Sequence, residues 1–513
     1  MKNLFKIIIY ASLLTIILLP IYLFNDPSLA QQPGIKRVIR PGEIKFLPEY
    51  GRITEVFDSG SDDLVIHIQD AHTNYDGQKN SAHILEELIK NYGLYLILVE
   101  GGSRDVSLNQ YRENSSLEAR KQTAEDLLKK GEIAGEEYLN IASDYPMKLQ
   151  GIEDRALYDQ NMTAYLGVDA GKNDALAYIR LLAGVVANLK AKSYNNELKG
   201  LDAKRIGFKE EKVSLNDYIS YLDMLAKAKR IDLSACKNYK NIVGSIELEK
   251  IIDFTTVEKE RAEVIDILSK RLAQDALNEL LSKSVDFKSG KLTQMQYHIY
   301  LKDVMSKAKL DINRYPDLEK YIRYITMYEK IDSAGLFREL KLAVDKIEQA
   351  LITNDDERRL AKIAKDLELL IEFINLKLSS DDFEYYRNNE ADFNLPQWGG
   401  FLNSQAIKYK FKETVPEDAK AVEKIIPNLK DFYTVARRRD EVFLNNTKKY
   451  MKDENVNIAV LIAGGFHTPT LMQLFRQNNI SYIVVSPKVL KPTDEELYHK
   501  ILTEGWAPAG QNK

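Results

Sequence analysis

Two short apolar runs, separated by a helix-like segment, form the clearest hydrophobic pattern in the first part of the chain. They span residues 64–69 and 94–99, and both are rich in Val, Ile and Leu, which is typical of strands buried on both faces. The segment between them repeats apolar residues such as Leu85 and Leu88 at helical spacing, and Gly93 is a typical helix stop. Because this connection is too long for a tight hairpin, the pattern predicts two parallel neighbouring strands joined by a helix.

A second strand–helix–strand pattern lies near the far end of the chain. Residues 458–463 form an apolar run, a helix-like segment follows, and residues 480–485 form another apolar run. A further candidate strand spans residues 148–152. We therefore predict an α/β fold in which strands 64–69, 94–99, 148–152 and 458–463 lie in one mostly parallel sheet.

The pattern between these two parts of the chain is helical almost throughout. Stripes of Leu and Ile recur at helical spacing, without internal repeats or low-complexity tracts. The predicted organisation is therefore a sheet core that is split in sequence by a large all-helical insertion. Its first part spans residues 31–155, the insertion spans residues 156–430, and the second part of the core spans residues 431–513.

Two features of the helical region carry specific expectations. Segments Leu336–Ile352 and Asn354–Leu378 are predicted to pack as an antiparallel helical hairpin, with a capping box from Asn354 to Glu357. The stretch Asn394–Phe401 is the one break with turn chemistry, and we expect a connecting loop or a lid there.

Acidic and imidazole side chains gather where the predicted strands end. Open α/β sheets bind ligands outside the carboxyl ends of their strands, so these residues are candidates for one site. The residues are Asp70, His72, Glu100, Glu153 and His467. Thr468 and Pro469 predict that a helix begins directly after His467, and a helix N-terminus disfavours a charged imidazolium. We therefore expect a neutral His467 that can be replaced without disturbing a core.

Two kinds of chemistry fit this set of residues, and their spacing does not choose between them. His72, Glu100 and His467 could bind a divalent metal ion and leave a position open for water, with Asp70 as an added ligand. Without metal, one histidine could take a proton from water while Glu100 holds its tautomer. Glu153 and Arg104, which also follow predicted strands, are candidate substrate-binding residues.

Two motifs resemble those of a superfamily that contains Tiki proteases, TraB-type proteins, erythromycin esterases and ChaN-like haem-binding proteins. That superfamily typically has two Gly-x-x-His motifs and an acidic residue between them. The second motif matches as Gly464-Gly-Phe-His467, and the first reads Gln69-Asp-Ala-His72, with Gln69 in place of the glycine. The helix with Arg439 resembles the arginine-containing helix before the second motif in several members. The resemblance covers roughly residues 60–155 and 430–487 and not the helical region.

The resemblance implies an α/β fold with functional positions at His72, Glu100 and His467, and a substrate-binding role for Arg439. Members differ in chemistry, from metal-dependent peptide cleavage to metal-independent ester hydrolysis and haem binding. Our first hypothesis is a hydrolase of a peptide or a small-molecule ester. The alternatives are a non-catalytic envelope protein that binds haem or another ligand, and an interaction protein that acts through its helical region.

The composition and the N-terminal segment limit the classes of partner and the cellular location that we expect. The formal net charge of −4 in 513 residues does not indicate a nucleic-acid partner. The single cysteine, Cys236, excludes an intrachain disulfide and a cysteine-based zinc cluster.

Residues 1–30 combine Lys2 and Lys6, the apolar stretch 7–24 and a small-residue cleavage site, which predicts a signal peptide or a membrane anchor. The remainder is expected to be exported: periplasmic, extracellular or membrane-anchored.

The mature protein is predicted to begin near Gln31, because Pro27-Ser-Leu-Ala30 offers the small residues that a signal peptidase requires. N-terminal sequencing of the protein recovered from the exported fraction checks this. Recovery of intact Met1 on a membrane-bound protein would show that residues 7–24 act as an anchor instead.

Overall fold

The structure is a computed structural model that describes residues 38–504, apart from 114, 289–291, 332, 417 and 492. The predicted signal peptide or anchor at residues 1–30 lies outside the described residues. The described residues divide into two compact units. Within the described residues, unit 1 comprises residues 38–182, 366–400 and 415–504, and unit 2 comprises Ala183–Lys365 and Phe401–Thr414.

Unit 1 contains a six-stranded sheet with the strand order β1–β6–β2–β5–β3–β4. The strands are β1 Gly51–Phe57, β2 Leu64–Asp70, β3 Leu96–Val99, β4 Lys148–Gly151, β5 Ile458–Gly464 and β6 Ser481–Pro487. All neighbours pair in parallel except β1 and β6, which are antiparallel. The predicted α/β fold with a mostly parallel sheet is therefore confirmed, and it includes all four predicted strands.

Helices occupy most of the remaining chain. The α-helices are α1 Tyr75–Tyr92, α2 Gln110–Glu113, α3 Leu117–Lys129, α4 Gly135–Ala142, α5 Arg155–Ser193, α6 Asn196–Lys209, α7 Leu215–Ala228, α8 Lys237–Glu249, α9 Phe254–Arg271, α10 Gln274–Lys288, α11 Gln294–Lys307, α12 Pro316–Tyr328, α13 Ser333–Leu351, α14 Asp355–Ile374, α15 Ser380–Asn388, α16 Leu395–Lys408, α17 Lys420–Glu423, α18 Ile426–Asp453, α19 Thr468–Gln477 and α20 Glu495–Glu504. Short 3₁₀ helices lie at Pro41–Glu43, Ile312–Arg314 and Glu390–Asp392. Among the residues that the structure describes, no helix is long and apolar enough to cross a bilayer.

The sheet is buried on both faces, which explains why its strands read as continuous apolar runs. Along β5, Val460 and Ile462 face a core that includes Leu85 of α1, whereas Leu461 faces a core that includes Phe475 of α19. A central parallel strand has no solvent face, so both sets of alternate positions must be apolar. Helix α1 ends at Gly93 in the left-handed conformation with φ 65°, as its sequence predicts.

The register of the central strands brings their carboxyl ends side by side. Asp70 at the end of β2 pairs with Gly464 at the end of β5. On the other side of β5, Val99 pairs with Ile462, and the amide of Glu100 donates to the carbonyl of Ile462 at 3.0 Å. The residues that follow β2, β3 and β5 therefore start from neighbouring points on one edge of the sheet.

The described residues of unit 2 are mostly helical. They include α13 and the first part of α14, the two helices of the predicted hairpin. Lys365 on α14 forms an ion pair of 2.6 Å with Asp345 on α13, so the two helices run antiparallel as predicted. The Asn354 side chain accepts from the amide of Glu357 at 2.9 Å. The Glu357 carboxylate accepts from the amide of Thr353 at 2.8 Å. In a standard capping box it would accept from the amide of the N-cap residue, here Asn354, which is one residue later.

The predicted loop or lid at Asn394–Phe401 is instead the start of helix α16. The Asn394 side chain accepts from the amide of Gln397 at 3.0 Å, as an N-cap does. Trp398 is buried, and its indole N–H donates to the carbonyl of Asp392 at 2.9 Å. Asn and Pro favour a helix start as readily as a turn, which is why the sequence pattern was misleading here.

Two backbone segments approach closely at Gly151, so the methyl group of an alanine at this position should destabilise the fold strongly. A Cβ there would lie 2.1 Å from the carbonyl carbon of Gly102, and backbone atoms cannot move aside as a side chain can. Gly151→Ala should therefore lower the free energy of unfolding by about 1–3 kcal/mol or more, measured by urea unfolding.

Gly400→Ala is the matched control, because a Cβ at this exposed helical position would meet nothing within 4 Å. This change should stabilise the protein by about 0.5–1 kcal/mol through helix propensity. Equal stability of the two variants would contradict the close approach at Gly151.

Candidate functional site

Glu100 lies at the centre of a polar site at the carboxyl edge of the sheet. Its Oε2 accepts from the amide of Gly464 at 2.7 Å, and its Oε1 accepts from Nη2 of Arg439 at 2.9 Å. The same Oε1 lies 3.2 Å from Nε2 of His467. The carboxylate thus joins the ends of β3 and β5 to helix α18, which carries Arg439.

His467 is held between two carboxylates. Its side chain is only 4% exposed, its Nδ1 lies 2.6 Å from Oδ1 of Asp440, and its Nε2 faces Glu100. Burial lowers the pKa of His467, but the charges and hydrogen bonds of Glu100 and Asp440 outweigh burial and raise it to about 9. His467 is therefore an imidazolium at neutral pH.

This result corrects two sequence-based expectations about His467. The expected neutral form is wrong because two carboxylates at contact distance act more strongly than the partial charge of the N-terminus of α19. The expectation that its replacement would not disturb a core is also wrong, since the side chain is buried. Asp440, rather than Glu100, faces Nδ1 and holds the orientation of the ring.

His72 forms the second imidazole–carboxylate pair, in a more open position. Its Nδ1 lies 2.8 Å from Oδ2 of Asp70, and its side chain is 38% exposed. Burial lowers the pKa of His72, but the hydrogen bond and charge of Asp70, with a smaller contribution from Glu100, raise it above its usual value. His72 therefore keeps its proton to a higher pH than an isolated histidine does.

Gly464 has no side chain and so leaves space for the side chains of both His72 and Glu100. A Cβ on Gly464 would lie 3.1 Å from Cε1 and 3.4 Å from Nε2 of His72, and 3.5 Å from Oε2 of Glu100. The imidazole and the carboxylate therefore both lie against the bare backbone of Gly464. Any larger residue would push against the two side chains, which accounts for the glycine in this motif.

Gln78 fixes the turn that carries His72. His72 itself has a left-handed backbone with φ 49°, which is strained for a residue with a Cβ. The buried Gln78 amide donates to Oδ1 of Asp70 at 2.6 Å and to the carbonyl of His72 at 2.5 Å, and it accepts from the amide of Gly135 at 2.7 Å. The sequence alone did not indicate this residue.

Arg439 is a buried cation shared between two acids. It binds Glu100, contacts Glu153 through Nε at 3.3 Å and through Nη2, and donates from Nη1 to Asn161 at 2.7 Å. Burial raises the pKa of Glu100, but His467, Arg439 and the Gly464 amide outweigh this and hold it well below its usual value. Glu100 is therefore a carboxylate throughout the neutral range and a poor proton acceptor.

Gln69, which replaces the glycine of the first motif, joins three elements of the fold. Its Nε2 donates to the Thr468 hydroxyl at 3.3 Å, and its Oε1 accepts from the Ser486 hydroxyl. The same Thr468 hydroxyl lies 2.8 Å from Nε2 of His67. Burial lowers the pKa of His67 to about 4, so this ring is neutral and its Nδ1 donates to the carbonyl of Leu461 at 3.2 Å. This network anchors the start of α19 next to His467.

The remaining predicted site residues occupy different surroundings. Glu153 is buried behind Arg439, where burial raises its pKa more strongly than Arg439 lowers it. The side chain of Arg104 is exposed and does not line the cavity described below. Its carbonyl accepts from the amide of Gly151 at 2.7 Å, so this residue contributes to the sheet edge through its backbone.

The site opens into a cavity of about 680 Å³ within unit 1. Asp70, His72, Glu100, Arg439 and His467 all contribute to its lining. Much of the rest of the lining is aromatic or apolar: Tyr158, Met162, Tyr165, Leu376, Phe432, Phe466 and Leu502. A cavity of this volume accommodates a small-molecule ligand or part of a peptide.

The arrangement of these residues fits a resident metal ion poorly. In the described part of the chain, no three His, Cys, Asp or Glu side chains are placed to hold one. Both ring nitrogens of His467 face carboxylates, and both oxygens of Glu100 accept hydrogen bonds from the protein. The guanidinium of Arg439 already supplies the positive charge that a metal would bring to Glu100.

Comparison with known proteins finds no relative: no family model, curated protein or solved structure matches the chain. The two motifs and the side chains around them are thus the features from which a function is inferred.

The raised pKa of His467 predicts how stability depends on pH. An unfolded histidine titrates near pH 6.5, so the stabilisation from the folded imidazolium is fully present below that pH. It is lost as the pH rises through about 9. The loss should be on the order of 3 kcal/mol. Urea unfolding from pH 6 to 9.5 measures it.

The control is His467→Gln, which cannot titrate. The difference in stability between wild type and this variant should shrink as the pH rises across that range. A difference that stays constant from pH 6 to 9.5 would contradict an imidazolium at position 467.

Proposed function

We propose that this protein is an exported hydrolase that cleaves an ester or peptide bond with a water molecule activated at His72, Glu100 and His467. One observation carries the proposal. Two imidazole–carboxylate pairs, Asp70–His72 and Asp440–His467, flank the Glu100 carboxylate, and both histidines line one cavity together with Glu100. The resemblance of the two motifs to the Tiki, TraB, erythromycin esterase and ChaN-like superfamily, to which we propose the core belongs, supports the same conclusion.

His72 is the general base in this proposal. A general base must be reachable by water and must be able to change its protonation state. The imidazole of His72 is partly exposed, and Asp70 raises its pKa. In the neutral tautomer whose Nδ1–H donates to Asp70, Nε2 is the nitrogen that takes up the proton. Nε2 lies on the same side of the Gly464 backbone as Oε2 of Glu100, at 3.4 Å and 3.5 Å from where a Cβ on Gly464 would be.

His467 plays a different part, because it is already protonated and both of its nitrogens are engaged. It cannot accept a proton from water in this state. Together with Arg439, it keeps Glu100 ionised, and the anionic Glu100 stabilises the His72 imidazolium that forms during the reaction.

The reaction then proceeds in two proton transfers. The oxygen of water attacks the carbonyl carbon of the substrate while Nε2 of His72 takes one of its protons. The resulting tetrahedral intermediate collapses by breaking the ester or amide bond. His72 returns its proton to the departing oxygen or nitrogen, and the products are an acid and an alcohol or amine.

Three further parts of the proposal concern the chain as a whole. Residues 1–30 direct export as a signal peptide or, through residues 7–24, as a membrane anchor. The helical stretch between residues 156 and 430 is an insertion into the sheet core. The reaction needs no metal, because Arg439 and His467 supply the positive charge near Glu100.

The central prediction is that His72→Ala lowers kcat/KM by about 10²–10⁴-fold for any ester or peptide that the wild type cleaves, because the general base is lost. A screen of chromogenic esters and peptides identifies the substrate. His83→Ala is the matched control, since this histidine is as exposed as His72 but lies on α1 against Tyr50 and does not line the cavity. Equal losses in the two variants would contradict the assignment.

Asp70→Asn tests the proton-accepting role through the pH profile. Asp70 raises the pKa of His72, so its neutral replacement should lower that pKa. The acidic limb of kcat/KM should then move to lower pH, with a reduced plateau. A profile with an unmoved limb would exclude His72 as the titrating base.

Elemental analysis and chelation test the remaining alternatives. Activity that survives EDTA supports the metal-free reaction, and activity restored only by a divalent ion would establish a metal site instead. Purified protein that retains haem and cleaves no substrate would replace the hydrolase proposal with a binding function.

A further inference from the structure

The acidic and the basic side chains that line the cavity next to Glu100 differ in whether they have partners within the protein. Each acid that lines it already has a cationic or imidazole partner in the protein: Asp70 with His72, Glu100 with Arg439, and Asp169 with His499 at 3.0 Å. The carboxylates of the lining are thus satisfied within the protein and offer little to a positively charged ligand.

The two lysines of the cavity, in contrast, have no acidic partner among the described residues. Lys172 on α5 and Lys377, which follows α14, both line the cavity. Across the described ranges of the chain, neither amine forms an ion pair or a hydrogen bond with an acidic side chain. Lys172 is half-buried and Lys377 is exposed, so both remain available to a ligand that enters from solvent.

We propose that Lys172 and Lys377 form a subsite for an anionic group of the substrate, and that the protein therefore prefers esters or peptides with a carboxylate or phosphate away from the bond that is cleaved. This inference rests on the proposed hydrolase. Unpaired ammonium groups in a concave site attract anions more strongly than they do on an open surface.

The rest of the lining defines the other features of such a substrate. The aromatic and apolar side chains that share this lining with the lysines and Glu100, such as Tyr165 and Phe432, suit an apolar spacer. The substrate class is therefore an amphiphilic ester or peptide, with an uncharged reacting carbonyl near Glu100 and His72 and an anionic end near the lysines.

A pair of matched esters tests the subsite. The 4-nitrophenyl ester of pentanoic acid and the 4-nitrophenyl half-ester of glutaric acid have acyl chains of equal length, and only the second bears a carboxylate. Wild type should cleave the half-ester with roughly a tenfold higher kcat/KM, and the preference should weaken as NaCl is added. No preference, or a preference for pentanoate, would overturn the proposal.

Substitutions assign the preference to the two lysines. The double variant Lys172→Ala with Lys377→Ala should lose the preference, measured as the ratio of kcat/KM for the half-ester to kcat/KM for the pentanoate ester. The double variant with arginine at both positions should keep the preference. Lys121→Ala, at an exposed position on α3, is the control and should behave as wild type. A double alanine variant that keeps the preference would overturn the assignment.

Binding measurements separate the failure of the subsite from the failure of the proposed reaction. If neither ester is cleaved, the hydrolase proposal is wrong for these substrates, and titration calorimetry with glutarate and with inorganic phosphate tests the subsite directly. Binding to wild type and not to the double alanine variant supports the subsite, and the tighter of the two ligands identifies the anion. The absence of binding to wild type overturns it.

Discussion

The buried ion pairs around Glu100 are the interaction on which the rest of the site depends. Glu100 accepts from Arg439, from the amide of Gly464 and from His467, so one carboxylate connects β3, β5 and helix α18. A buried carboxylate without such partners would be costly and would take up a proton. With them it stays ionised, and its charge then sets the electrostatics for both histidines.

The two histidines show how environment divides roles between identical side chains. His467 is enclosed by Glu100 and Asp440, which keep it charged and give it no free position for a proton. His72 has Asp70 as a hydrogen-bonded carboxylate and a partly exposed ring, so it can exchange a proton with water. The proposed mechanism follows from this difference in burial, and not from the residue type.

The turns that carry His72 and His467 are held in place by polar side chains that do not themselves line the cavity. Gln78 uses its amide to hold both Asp70 and the backbone of His72, and Gln69 and His67 hold Thr468 beside His467. Both ends of each glutamine amide form hydrogen bonds, which offsets the cost of removing them from water and restricts the rotations of the turns. A loop that carries a reacting group is accurate only when its backbone is fixed in this way.

The sequence by itself determined the mostly parallel sheet, because strands that are buried on both faces must be apolar at every position and such runs are visible without a structure. It also determined which residues leave the strand ends, since polar side chains directly after apolar runs can be read from the chain. Only the tertiary structure decided the charge of His467, which depends on Asp440 and Glu100 approaching from two other elements. The same holds for Gln78, Asn161 and the exposed position of Arg104, which follow no local pattern. Spacing along the chain specifies where a segment ends, whereas protonation states and hydrogen-bond partners depend on distances between segments that are far apart in sequence.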